Sequence, residues 1–216
     1  YKEMKDPVKD SGGSVANSMA AIASLGGQPC YIGKVKDDEL GTGYVRDMEQ
    51  LGIHTPVTPA ADGPSTGRSM IFVTPDAKRS MCTFLGACVE LSTADVDPMQ
   101  IVNSKVTFLE GYLFDPEKAK EAFRHSAKIA HDAGRLVALS LSDLFCVDRH
   151  RDDFLSFIND DVDILICNEP EIKSLYQVES LDEAAAKAIQ SVDMAAVTVG
   201  EKGAIIACDG KITNVP

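Results

Sequence analysis

Two oxygen-bearing side chains, Asn168 and Glu171, stand three residues apart directly after the apolar run 163–167. The run is typical of a buried strand, and the two residues would open the helix that follows it. Residues at this spacing in the first helical turn can point to one place. A carboxylate and an amide oxygen there suit Mg²⁺, which keeps several waters and takes few protein ligands. The spacing is equally that of a capping box, so both interpretations stay open.

A pair of adjacent glycines marks a second candidate site. Gly12 and Gly13 allow the backbone to turn tightly and to approach a ligand without a Cβ in the way. The small residues at 17–25 have helical spacing and are followed by Gly26, which predicts a helix with a glycine stop. The N-terminus of that helix would offer free backbone N–H groups. An ordinary strand–helix unit with glycine turns accounts for the same residues.

The elements that must position these residues change in type along the chain. Before residue 90 we predict a short buried strand at 30–33, a helix at 41–51, and a hairpin of two strands, 66–72 and 79–85, around the turn 74–77. Later, strands alternate with helices, which predicts a mostly parallel sheet covered on both faces. The predicted strands are 105–109, 136–141, 163–167, 195–199 and 204–207, and the predicted helices are 116–133, 149–159, 169–176 and 181–190. Asp115 is the predicted cap of the helix at 116–133.

Composition narrows the classes of function. The chain has 216 residues, of which 44% are hydrophobic and 25% are charged, as in ordinary globular domains. Its net charge of −12 argues against binding to nucleic acid or to an anionic membrane surface. The six cysteines are scattered without metal-ligand spacing, which favours reduced thiols. No apolar run is long enough to span a membrane, so we expect a cytoplasmic protein.

The glycine-rich stretch carries a family resemblance. It reads GGSVAN, then ASLGG, IGKVKDDELG and LGI, and this order resembles the first signature of the ribokinase-like (PfkB) carbohydrate kinase family. The resemblance implies an α/β fold, a ribokinase-like three-layer α/β/α sandwich with a mostly parallel sheet and a small β lid. Residues 1–216 would form one incomplete domain, with lid strands from about 1–10 and 55–85.

The resemblance also implies a role for each candidate residue. The family's kinases phosphorylate small molecules with ATP and Mg²⁺, and a monovalent cation is a further candidate activator. NEPE at 168–171 resembles the family's N-x-x-E element, and TVGEKG at 198–203 resembles its nucleotide turn. The implied site residues are Gly12, Gly13, Ser14, Asn17 and Tyr112 for the substrate, Arg79 for charge neutralisation at the transferred phosphate, Asn168, Thr198, Gly200 and Gly203 for ATP, and Asn168 with Glu171 for Mg²⁺ through water. Taken alone, Gly200 and Gly203 are typical of a hairpin turn, Arg79 of a surface charge and Tyr112 of a core aromatic.

Three details favour a nucleoside as substrate. Ser14, the pair Arg79-Ser80 and the string LSLSDLF at 139–145 are similar to the adenosine kinase branch of the family. That branch transfers a phosphoryl group to the 5′-hydroxyl of adenosine. Two alternatives stay open: a sugar kinase of the same family, acting on ribose, fructose or 2-keto-3-deoxygluconate, and a noncatalytic nucleoside-binding protein.

The sequence departs from the family pattern in one respect. The G-A-G-D string that carries the family's general base is absent from these 216 residues. We therefore expect a chain truncated at both ends, inactive by itself, whose parent protein is the kinase. Because an exposed lid edge can pair with a second copy, we expect a monomer or a homodimer.

Overall fold

The structure is a computed structural model, and it describes residues 8–216. The chain divides into two compact units, Tyr1–Cys88 and Val89–Pro216, each of which is described by itself. The part of the predicted lid at residues 1–7 lies outside the described residues, and residues 8–10 are not in a strand. Within the described part of the chain, no helix has both the length and the apolar character needed to cross a membrane.

The first unit contains two helices and a hairpin, with bounds α1 Ser14–Ser24, α2 Glu39–Gln50, β1 Arg68–Val73 and β2 Arg79–Phe84. Helix α1 begins three residues earlier than predicted, directly after Gly13. Helix α2 begins after Asp38, whose side chain accepts a hydrogen bond from the Gly41 N–H. The hairpin is confirmed: β1 and β2 pair antiparallel over their whole length, from Arg68 opposite Phe84 to Val73 opposite Arg79.

The prediction of a buried strand at residues 30–33 was wrong. Cys30 makes one isolated parallel bridge with His54, and the next bridge joins Lys36 to Ala60. The ladder between these bridges is interrupted at Pro56, which lies on the side of the partner segment that donates to residues 29–35 and has no backbone N–H. Residues 30–33 are consequently only half buried.

The second unit is built on a six-stranded sheet in which the strand order follows the chain, β3-β4-β5-β6-β7-β8. Strands β3 to β6 pair parallel with one another, whereas β7 pairs antiparallel with β6 and β8 antiparallel with β7. The prediction of a mostly parallel sheet is therefore confirmed. The bounds are β3 Val106–Glu110, β4 Leu136–Ser140, β5 Ile164–Asn168, β6 Met194–Thr198, β7 Ala204–Cys208 and β8 Lys211–Val215. Strand β8 was not predicted, although Asp209-Gly210, both with positive φ, is a strong signal for a two-residue hairpin turn.

Five helices accompany this sheet, with bounds α3 Pro98–Val102, α4 Glu117–Asp132, α5 Leu144–Asp161, α6 Glu169–Tyr176 and α7 Leu181–Ala188. Helix α4 packs on β3 and β4, and α6 packs on β5 and β6. Helix α5 begins five residues earlier than predicted, because Asp143 caps it by accepting a hydrogen bond from the Phe145 N–H. It is kinked at His150, whose φ of −123° and ψ of 26° are not helical.

The predicted cap of α4 was also wrong. Pro116 occupies the N-cap position and no side chain caps the helix. The Asp115 carboxylate instead accepts hydrogen bonds from Arg149 at 3.1 Å and His150 at 2.6 Å. These two bonds hold the segment after β3 against the first half of α5.

An aromatic cluster fills the core beside α4 and α5. The ring of Phe114 stacks on Phe154 with centroids 4.0 Å apart, and its other neighbours are Phe123 and Phe157. Phe154 is completely buried, whereas Phe145, near the start of the same helix, is 72% exposed. The cluster therefore fixes α5 against the turn that follows β3.

We expect Phe154→Ala to lower the free energy of unfolding by about 3–5 kcal/mol, because the deletion leaves a cavity in a closely packed core. Phe145→Ala on the same helix is the control, with an expected change within about 0.5 kcal/mol. Urea unfolding followed by circular dichroism measures both. Equal losses for the two variants would contradict the assignment of the core.

Candidate active site

The carboxyl ends of the parallel strands bring polar residues to one edge of the sheet. Glu110, the last residue of β3, is opposite Ser140, the last residue of β4. Asn168, the last residue of β5, is opposite Thr198, the last residue of β6. Open parallel sheets bind ligands beyond this edge, so the register makes it the candidate site of the second unit.

Asn168 and Glu171 form a capping box at the junction of β5 and α6. The Asn168 side-chain oxygen accepts the Glu171 N–H at 2.9 Å. The Glu171 carboxylate accepts the Asn168 backbone N–H at 2.9 Å and the Asn168 side-chain amide at 2.8 Å, using a different oxygen for each. The spacing of Asn168 and Glu171 therefore does produce a capping box, and this box holds the Glu171 carboxylate rigidly.

The environment of Glu171 is suited to a cation. Its side chain is buried, at 5% exposure, and this burial raises the pKa of the carboxyl. Asp143 raises that pKa further through its negative charge, whereas the hydrogen bonds from Asn168 lower it. A cation placed nearby would offset both the burial and the repulsion and would hold Glu171 ionised.

The donor set limits how Mg²⁺ could be held. Among residues 8–216, no group of three or more His, Cys, Asp or Glu side chains is arranged to hold a metal ion. The Asn168 amide is engaged with Glu171, whereas each Glu171 oxygen accepts one hydrogen bond and keeps a further lone pair. These residues fit Mg²⁺ that retains its waters, with Glu171 accepting from a water ligand.

Glu110 is a residue of this edge that sequence reasoning missed. Burial raises its pKa to about 7, and within the described residues its carboxyl has no hydrogen-bond partner. The next residue, Gly111, has no space for a side chain, since a Cβ would lie 2.6 Å from the Leu141 carbonyl oxygen. An acidic residue at the end of an apolar strand and before a glycine was the available signal.

Two aromatic side chains are exposed near this edge. Tyr112 is 40% exposed, so it is not a core residue, and burial of the rest of its ring together with the charge of Asp143 raises its pKa. Phe145 lies two residues after Asp143 and is more exposed still. Both present apolar ring surface that a flat ligand could cover.

The predicted nucleotide turn at 198–203 joins β6 to the antiparallel strand β7 and is a hairpin connection. Thr198 is exposed, and its hydroxyl donates to the Cys167 carbonyl at 3.5 Å. Gly200 has a φ of 65° with open space around it. Gly203 is required structurally, because a Cβ there would lie 2.0 Å from the Val215 carbonyl oxygen.

The remaining predicted residues belong to the first unit. Gly12, Gly13, Ser14 and Asn17 come together at the N-terminus of α1, and all four are exposed. Gly13 has a φ of 124°, and within the described residues no side chain caps this helix. A Cβ on Gly12 would lie 3.9 Å from the side-chain oxygen of Asn17. Arg79 is exposed at the start of β2, on the hairpin.

Comparison with known proteins decides the family. The family described as "pfkB family carbohydrate kinase" matches residues 1–216. The chain belongs to the pfkB family of carbohydrate kinases. The activity of this family is phosphoryl transfer to small molecules, so the edge formed by the carboxyl ends of the parallel strands belongs to a kinase fold.

Solved structures of pfkB relatives confirm the ribokinase-like three-layer fold. An adenosine kinase from Sinorhizobium meliloti is 45% identical, with a TM-score of 0.93. A probable sugar kinase from Rhizobium etli CFN 42 is 44% identical, with a TM-score of 0.94. Each comparison covers 100% of this chain and 66% of the other.

A curated relative is more distant. A 5-dehydro-2-deoxygluconokinase from Clostridium perfringens is 25% identical over 185 residues, which are 82% of this chain and 55% of that protein. The chain thus spans between about half and two thirds of the length of these relatives. The names of the relatives include both a nucleoside kinase and sugar kinases.

The raised pKa of Glu110 predicts a dependence of stability on pH. The folded state holds this proton up to about pH 7, whereas the ordinary pKa of a glutamate is 4.5, so the folded state binds more protons between these two pH values. Stability must therefore fall as the pH rises through this window. Glu110→Gln removes the charge, and we expect it to raise the free energy of unfolding at pH 8 by on the order of 2–3 kcal/mol.

Urea unfolding of wild type and Glu110→Gln at pH 4 and pH 8 measures this effect. The two proteins should be nearly equal at pH 4, where both side chains are neutral. A stability difference that is the same at both pH values would show that the Glu110 carboxyl is not buried as described.

Proposed function

We propose that this chain is part of an ATP-dependent kinase that transfers the γ-phosphoryl group of ATP to the 5′-hydroxyl of adenosine. The observation that carries the proposal is the buried carboxylate of Glu171, held by Asn168 at the carboxyl end of β5. It supplies a rigid negative charge at the edge where open α/β sheets bind ligands. Membership of the pfkB family makes the reaction class phosphoryl transfer.

Glu171 and Asn168 would arrange Mg²⁺ through its water ligands. Bound Mg²⁺ neutralises charge on the phosphates and orients them for in-line transfer. Thr198 and Gly200 would line the nucleotide site, the first with its side chain and the second with backbone that a ligand can approach. Gly203 would serve the same site by shaping the turn, since its own contacts are with the end of β8.

The substrate hydroxyls would bind at the N-terminus of α1. Gly12, Gly13 and Ser14 lie where uncapped backbone N–H groups face outward, and such groups donate to hydroxyl oxygens. Asn17 adds an exposed amide one turn further along the helix. Arg79 would neutralise charge on the transferring phosphoryl group, which a guanidinium can bind through two oxygens.

The exposed rings favour a nucleoside over a sugar. Phe145 and Tyr112 offer aromatic faces, and a nucleobase has a flat aromatic ring that can pair with them, which a free sugar lacks. The 45% identity to an adenosine kinase supports the same choice. A sugar kinase of the same family is the second candidate, favoured by the 44% identity to a probable sugar kinase.

The test is a comparison of phosphoryl acceptors with the natural full-length protein and ATP. We expect kcat/KM for adenosine to exceed that for ribose, fructose and 2-keto-3-deoxygluconate by at least about tenfold, which is a difference of 1.4 kcal/mol in transition-state binding. A preference of that size for any of the sugars would overturn the choice of adenosine.

Replacement of Phe145 separates stacking from general apolar contact. Phe145→Leu keeps an apolar side chain but loses the flat face, so we expect KM for adenosine to rise about fivefold or more, equivalent to roughly 1 kcal/mol of stacking. Val178→Ala, two residues beyond the C-terminal end of α6, is the control and should leave KM unchanged. An unchanged KM for Phe145→Leu would remove the ring from the binding site.

A further inference from the structure

One carboxylate joins the base of the β1–β2 hairpin to the start of α2. One oxygen of Asp38 accepts the Gly41 N–H at 2.8 Å and the Thr66 hydroxyl at 2.7 Å. Its other oxygen accepts the Thr66 backbone N–H at 2.9 Å. The cap of a helix and the anchor of a hairpin are therefore the same side chain, and we call these bonds the Asp38–Thr66 clasp.

The clasp is well built. Thr66 is buried, and its hydroxyl oxygen also accepts the backbone N–H of Lys36 at 3.0 Å. The hydrogen bonds from Thr66 hold the pKa of Asp38 below its usual value, so the carboxylate is ionised at neutral pH. Gly41 lies so close to the Lys36 carbonyl that a Cβ would be 2.1 Å from its oxygen. Nothing bulkier fits where the helix meets the clasp.

Two glycines lie immediately beyond the clasp. Gly67 follows Thr66, and Gly86 lies on the returning chain, where the Ala87 N–H donates to the Ser65 carbonyl at 2.9 Å. A Cβ on Gly67 would lie 2.6 Å from the Leu85 carbonyl oxygen, and one on Gly86 would lie 2.2 Å from the Ser65 carbonyl oxygen. The two chains thus cross closely at the root of the hairpin, at the residues with the greatest backbone freedom.

The hairpin beyond these glycines has little packing of its own. All twelve residues of β1 and β2 are exposed. A two-stranded hairpin with both faces exposed is marginally stable, so its orientation must come from its root. The root that the structure provides is the Asp38–Thr66 clasp.

We propose that Asp38 and Thr66 are positioning residues, whose clasp fixes the root of the hairpin and thereby sets the position of Arg79. The part of this inference that concerns Arg79 rests on the function proposed above. The part that concerns the clasp does not, because it needs no reaction.

Asp38→Asn separates the two structural roles of the carboxylate, which are the capping of α2 and the anchoring of the hairpin. The amide oxygen can still accept the Gly41 N–H and so cap α2, whereas the NH₂ group now faces the Thr66 N–H and cannot accept it. Asp97→Asn is the matched control, because Asp97 caps α3 by accepting the Met99 N–H at 2.9 Å and lies in the other unit. Thr66→Ser keeps both donors and should behave as wild type.

Hydrogen exchange in the natural full-length protein measures the clasp. We expect the paired amides of β1 and β2 to exchange at least tenfold faster in Asp38→Asn, with α2 unchanged and with no change in Asp97→Asn or Thr66→Ser. Unchanged exchange in the hairpin would overturn the proposal. An equal increase in the hairpin and α2 would also overturn it, because that result means lost capping.

A double-mutant cycle with Arg79→Ala tests the link to the reaction. If the clasp acts through Arg79, Asp38→Asn should lower kcat in the wild-type background by about tenfold and by less than twofold in the Arg79→Ala background. Equal losses in both backgrounds would overturn this link. Absence of phosphoryl transfer by the wild-type protein would instead contradict the proposed function. The hydrogen-exchange measurement would still test whether the clasp holds the hairpin.

Discussion

The parallel pairing of β3, β4, β5 and β6 is the constraint on which the site of the second unit depends. Parallel strands end at the same edge of the sheet, and β5 extends two residues beyond Ile166, its residue opposite the end of β4. The last residues of β3 and β5, Glu110 and Asn168, therefore lie at the same edge although 57 residues of sequence separate them. The core rings of Phe114 and Phe154 hold the turn after β3 against α5, which keeps the aromatic side chains of that turn near the edge.

The junction of β5 and α6 joins a helix cap to a buried carboxylate. Hydrogen bonds of the capping box satisfy the start of α6 and at the same time fix the Glu171 carboxylate in a buried place. Burial raises the pKa of this carboxyl, whereas the hydrogen bonds that the backbone and side-chain N–H groups of Asn168 donate to it lower that pKa. The Asp38–Thr66 clasp in the first unit likewise uses one carboxylate for two structural roles, because Asp38 both caps α2 and anchors the hairpin.

Much of this arrangement could be predicted from the sequence, and the failures have physical causes. Strand β5 and helix α6 were predictable, since an apolar run followed by a capping pair is a local signal. The prediction of a strand at residues 30–33 was wrong because its pairing depends on a distant segment that Pro56 interrupts. The start of α5 was missed because the kink at His150 disrupts its periodicity. The burial of Glu110 depends on tertiary packing, which no local pattern records.

The most direct test of the central claim is the Mg²⁺ dependence of adenosine phosphorylation by the natural full-length protein carrying Glu171→Gln. Asp95→Asn is the matched control, because Asp95 also returns a hydrogen bond to a cap residue, accepting the Ser92 N–H at 2.9 Å. If Glu171 holds Mg²⁺ through water, Glu171→Gln should raise the Mg²⁺ concentration for half-maximal rate by about tenfold or more, with Asp95→Asn within about twofold of wild type. An unchanged Mg²⁺ dependence in folded Glu171→Gln would contradict the account.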